Sequence, residues 1–254
     1  MRPMQGGWRV LALLAAAILA GRATAAGAPA PPKPAATFDP TANYEEKHVE
    51  GWSVLVNRRL LDDEHRPLCK RVLRQLKDHL YRVTRVVPPA ALANLRRVPF
   101  WVELNDPKFP CMCYHPSADW LRENGLNPQK AGGVEISNAD NFLSWTLVQP
   151  WMVLHELAHA YHDQVLGFDN AEVRACYQHA VSSKLYDSVL HYDGRKVRAY
   201  AATNEKEYFA ESTEAYFGSN DFFPFVRAEL KDHDPKVYDL LEKVWGVRKP
   251  KPKK

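Results

Sequence analysis

The segment His155-Glu156-Leu157-Ala158-His159 sets two imidazoles four positions apart, with a carboxylate directly after the first. On a helix, positions i and i+4 share a face, so both rings could grip one zinc ion. Glu156 would then stand beside the metal and take a proton from water, whose pKa a catalytic zinc lowers to about 7. Apolar Met152, Val153, Leu154, Leu157 and Ala158 surround these polar positions, as a buried ligand helix requires. The bland alternative is a helix whose histidines are solvated or satisfied in the core. The metal reading is the sharper one.

A catalytic zinc needs a third protein ligand and an open fourth position. The metzincin pattern would place Gly at 162 and His at 165, where this chain has His162 and Val165. That class is excluded. Asp163 lies one turn beyond His159, but three ligands on consecutive turns of one straight helix fan out poorly around a tetrahedral ion. Downstream, Glu207, Glu211 and Glu214 fall on one face of a helical pattern flanked by Tyr208, Phe209, Tyr216 and Phe217. A solvated acidic face is the alternative for these three. His162 and His179 draw no role from their spacing.

Tyr200-Ala-Ala-Thr-Asn-Glu-Lys-Glu207-Tyr-Phe-Ala-Glu211, following His-Glu-Leu-Ala-His, resembles the zinc-peptidase domain of anthrax toxin lethal factor. More distantly it is similar to the bacterial Pro-Pro endopeptidases. The shared pattern is a tyrosine seven positions before a ligand glutamate that opens an E-[FY]-F-A-E helix. The resemblance implies an α+β, zincin-like fold and one Zn2+ per chain, held by His155, His159 and Glu207. It makes Glu156 the general base, Tyr200 the oxyanion donor, and Glu211 an outer acid that orients a ligand. Its two blocks lie within roughly residues 130–220. The function implied is zinc-dependent hydrolysis of a peptide or protein substrate. A non-catalytic extracellular binding module on the same fold is the runner-up, and a zinc hydrolase of another amide a lesser one. Glu156 and Tyr200 are not needed to hold zinc, so their presence favours an enzyme.

The elements that must position these groups follow from periodicity. Leu68, Val72, Leu73, Leu76, Leu80 and Val83 recur at helical spacing after Pro67. Further helices are expected over residues 139–146, 150–166, 171–187, 204–217, 222–231 and 235–245, the last opening on Asp234-Pro235. Trp52, Val54 and Val56 alternate as in a strand, and residues 98–104 and 132–137 read as two more. Asp193-Gly194 marks a short hairpin. The expectation is a small N-terminal sheet before a mainly helical half. A peptide substrate could pair with an exposed strand edge, with residues 134–137 as one candidate and 98–104 as its competitor.

Composition sets the frame. The 254 residues carry 34 Lys+Arg against 30 Asp+Glu, with 46% hydrophobic and 25% charged residues. That balance excludes collagen, low-complexity disorder and a coiled coil, and a net charge of +4 calls for no nucleic-acid partner. Arg2 and Arg9, the apolar run of residues 10–20 and Ala23-Thr24-Ala25 form a secretory signal pattern, with cleavage expected after Ala25. The protein is therefore expected to be secreted or periplasmic, with no integral membrane domain once the signal is removed. Residues 26–43 read as an Ala/Pro-rich linker, 44–247 as the metallopeptidase domain and 248–254 as a basic disordered tail. Without the three arginines of residues 1–25 and the five cations of 248–254, 26 basic residues face 30 acids. The body is mildly acidic. Export also makes disulfides the expected state of Cys69, Cys111, Cys113 and Cys176, with Cys111 and Cys113 pairing outward to the other two. One bridge with two buried thiols is an alternative. So is a zinc site on Cys111 and Cys113, although no second pair stands at metal spacing.

Overall fold

The computed structural model describes residues 38–247. The signal pattern, most of the linker and the basic tail lie outside them. Five strands form one mixed sheet: β1 (Tyr44–Val49), β2 (Trp52–Asn57), β3 (Phe100–Val102), β4 (Met112–Tyr114) and β5 (Val134–Ile136). Their spatial order is β1-β2-β3-β5-β4, with β2, β3 and β5 parallel and the two outer strands antiparallel to their neighbours. The helices are α1 (Arg66–Val86), α2 (Pro89–Leu95), α3 (Ala118–Glu123), α4 (Ala139–Trp145), α5 (Met152–Tyr161), α6 (Ala171–Ser182), α7 (Glu205–Phe217), α8 (Arg227–His233) and α9 (Pro235–Val244). A two-stranded hairpin, β6 (Val189–Leu190) and β7 (Lys196–Val197), stands between α6 and α7. The architecture is α+β, as expected. No helix among the described residues is long and apolar enough to cross a membrane.

Alternation divides the sheet into two chemically different faces. Val54, Val56, Phe100, Val102, Val134 and Ile136 are fully buried in the main core with Val72, Leu76 and Leu80 of α1. Leu154, Leu157 and Ala158 of α5 join the same core. The opposite face carries Asn57, Glu103 and Glu135, also buried. There Lys130 Nζ donates to Glu103 Oε1 at 2.7 Å and to Glu135 Oε1 at 2.8 Å. The Tyr44 hydroxyl and Asn57 Nδ2 also donate to Glu103, so the buried carboxylate is paired. A small cluster of Phe109, Leu121 and Leu126 covers part of this side.

The C-terminal helices back the site. Trp245 is buried and stacks on Tyr161 of α5, with ring centroids 4.2 Å apart. Asp234 caps α9 by accepting from Val237 N–H and also accepts from the Tyr208 hydroxyl of α7 at 2.6 Å. Gly218, just past α7, allows the helix to approach the residue before α5: a Cβ there would lie 1.9 Å from the Trp151 indole.

Four expectations change. The edge strands are β1 and β4, and periodicity missed β4; residues 134–137 and 98–104 contain β5 and β3, each flanked on both sides. The end of the linker is folded, because Asp39 accepts from Asn57 Nδ2 and Asn127 Nδ2 donates to Thr41 Oγ1. The helix expected over 222–231 starts at Arg227 instead, since Pro224 disfavours helical geometry at the residue before it. All four cysteines are free. Cys69 is on α1 and Cys176 on α6, Cys111 is in the main core, and Cys113 packs against the smaller cluster.

Two measurements check this packing. Denatured, unreduced protein should titrate with four thiols, where two disulfides would leave none. Gly218→Ala should lower stability in thermal denaturation by about 1–3 kcal/mol, the usual range for forcing atoms into a packed contact.

Candidate metal centre

Two helices build the centre. On α5, Val153, Leu154, Leu157 and Ala158 turn into the core, which leaves His155 and His159 together on the remaining face. Both imidazoles keep 12% of their side-chain surface exposed, so the site opens to solvent. On α7, Asn204 caps the helix by accepting from Lys206 N–H at 2.9 Å and Glu207 N–H at 3.0 Å. This fixes Glu207 in the first turn, with Glu211 and Glu214 one and two turns further along the same face.

Glu207 Oε2 lies 3.1 Å from His155 Nε2 and 3.3 Å from His159 Nε2. Four ligands about 2.1 Å from a tetrahedral zinc would be separated by about 3.4 Å, so the three atoms span one face of such a site. His155 Nδ1 faces Glu214 Oε1 at 2.7 Å, which turns Nε2 toward the centre. The donor set fits a zinc ion: two ring nitrogens, one carboxylate, and an outer carboxylate that orients a ring. Burial raises the proton affinity of the Glu207 carboxyl, but His159 and His155 outweigh it and hold the group well below the usual carboxylate range. It is an anion there.

The other acids are tuned the opposite way. Burial pushes the Glu214 carboxyl up to about 7, against the pull of His155. Burial and the Asp221 and Glu214 charges push Glu211 well above its usual range. Glu211 Oε1 stands 3.7 Å from His155 Nδ1, and Glu211 accepts from Asn220 Nδ2 at 3.0 Å. Glu214, rather than Glu211, therefore makes the close contact with the ring. Sequence spacing put both acids on that face and could not rank them.

Glu156 lies buried on the neighbouring side of α5. Its Oε2 accepts from the backbone N–H of Tyr114 on β4 at 2.8 Å. Burial raises its proton affinity, although His159 and His155 partly oppose this. Tyr200 sits in a tight turn after β7, and its hydroxyl is hydrogen-bonded to Glu207. Burial and the Glu207 and Glu156 charges keep the phenol protonated far beyond its ordinary range. His155, Glu156, His159, Tyr200, Glu207 and Glu211 thus come together from two helices and a turn.

Asp163 does not join the ligands. Its Oδ2 accepts from the Tyr114 hydroxyl at 2.7 Å, in the π turn His162–Leu166 that follows α5. His162 is buried between Phe168 and Phe209, and burial lowers its pKa to about 4. His179 is at the end of α6, near Ser183. Sequence reasoning missed Tyr114, whose N–H contact needs a strand that no periodicity announces. Replacing Glu214 with Ala should weaken zinc binding about 10–100-fold in a chelator competition, with helix content retained. Unchanged affinity would show that Nδ1 needs no outer carboxylate.

A family model described as anthrax toxin lethal factor, N- and C-terminal domain, matches residues 134–244. The matched span runs from the start of β5 to the end of α9 and includes His155, His159, Tyr200 and Glu207. No curated protein and no solved structure matches the chain. Over residues 134–244 the chain is similar to that lethal factor domain family.

Proposed function

We propose that this protein is a secreted or periplasmic zinc endopeptidase with a zincin-like fold, acting on peptide or protein substrates without nucleic-acid partners. The observation that carries the reading is the convergence of His155 Nε2, His159 Nε2 and Glu207 Oε2, with Glu156 and Tyr200 beside them. His155, His159 and Glu207 would hold a zinc ion that, when bound, would supply Lewis acidity at the site.

The remaining work falls to the chain's own groups. Glu156 keeps one oxygen on the Tyr114 N–H and has the other to accept the proton of the attacking water. Its raised proton affinity suits that task, because a base must hold the proton before passing it to the leaving amine. The Tyr200 hydroxyl remains a donor and can serve the developing oxyanion, a contact worth about 3 kcal/mol in comparable sites. Glu214 orients His155, so the ligand ring need not reorganise during turnover. Strand β4 is the sheet edge beside α5, and an extended peptide laid along it would meet backbone groups regardless of its sequence.

A binding module would need neither a buried, strand-anchored Glu156 nor a protonated Tyr200 beside Glu207. Glu156→Gln should retain bound zinc while cleavage of a peptide library falls by about 10²–10⁴-fold, the usual contribution of a general base. Protein isolated without stoichiometric zinc would sink the metal assignment. Zinc present with no wild-type cleavage would favour the binding module.

A further inference from the structure

The polar outer face of the sheet holds a second convergence of ligand atoms. Cys113 on β4, His115 just after it and Glu135 on β5 each offer one ligand atom, and all three atoms lie within 4.8 Å of one another. His115 Nε2 is 3.6 Å from Cys113 Sγ and 2.6 Å from Glu135 Oε2. The same ring nitrogen faces both partners. A nucleophilic triad needs the two nitrogens on different partners, one for the thiol and one for the acid. A shared ligand point is what remains.

We propose that Cys113, His115 and Glu135 form a second metal site, for a thiolate-preferring divalent cation such as zinc, that pins the edge strand β4 to β5. Zinc bonds of about 2.3 Å to sulfur and 2.1 Å to nitrogen give a tetrahedral S···N edge of about 3.6 Å, as observed here. The nitrogen–carboxylate pair would open by about 0.8 Å to reach its own edge of about 3.4 Å. Ser137 Oγ, 4.0 Å from Cys113 Sγ, borders the fourth position. Lys130 holds Glu135 by Oε1 and leaves Oε2 toward His115, so the carboxylate is already oriented.

Glu103 and Glu135 share one buried cation, Lys130, and the half-exposed Arg59 guanidinium lies 3.8 Å from Glu103 Oε2. His115 and Glu135 are almost fully buried while Cys113 is partly exposed, so a cation would enter past the sulfur. The site shares no ligand with His155, His159 and Glu207, and its test is independent of peptidase activity.

Cobalt(II) separates the two centres, because thiolate ligation gives a sulfur-to-metal charge-transfer band in the near ultraviolet that His and Glu ligands do not. Reduced, chelator-stripped full-length protein titrated with Co2+ should bind two equivalents and show the band. Cys113→Ser should lose the band and one equivalent, while His155→Ala keeps the band. A wild-type protein without the band overturns the site, as does a band that survives in Cys113→Ser. If Cys113→Ser does not fold, protection of Cys113 from alkylation by Zn2+ in the wild type decides. Equal labelling with and without Zn2+ counts against the site.

Discussion

Everything at the candidate metal centre depends on His155 being held between two carboxylates of a single helix. Glu214 meets Nδ1 and Glu207 meets Nε2, so the ring spans two turns of α7 and locks that helix against α5. Isolated ion pairs of this kind contribute little in water, but here both helices are buried around them and an unpaired partner would be costly. The apolar clamp of Tyr161, Phe209 and Trp245 keeps the helices at the spacing the contacts need. Removing either layer would loosen the other.

The site was largely legible because helical periodicity is local. His155 and His159 share a face by arithmetic alone, and the helix expected over 204–217 carries Glu207. The third ligand could not be derived this way: Asp163 and the three downstream glutamates all satisfied local rules. Only packing of α7 on α5 brings Glu207, rather than Asp163, to the rings. The choice between Glu211 and Glu214 turns on helix crossing and side-chain reach, which spacing does not encode.

Much of the sheet was less readable. Strand β4 has three residues between Pro110 and Pro116, too few to show alternation, and it exists only by pairing with β5. Cys113 on it and Cys111 just before it invited a disulfide reading because export and an even count are compositional arguments. They carry no information about distance. The short hairpin before α7 was legible from Asp193-Gly194, because that turn requires a positive φ, which Gly194 supplies.

The hydrogen bond from Tyr114 N–H to Glu156 has an effect on register. An extended chain pairing with an edge strand uses backbone groups at alternate residues, because successive amides point to opposite sides. At Tyr114 the outward amide is occupied by the carboxylate of α5. A peptide aligned on β4 therefore has to find its amide partner one pleat repeat away, at Met112, or displace Glu156 from its anchor. On the proposed function, the strand would set where along a bound chain the carboxylate acts, so cleavage position would be measured from the backbone before any side-chain pocket is consulted.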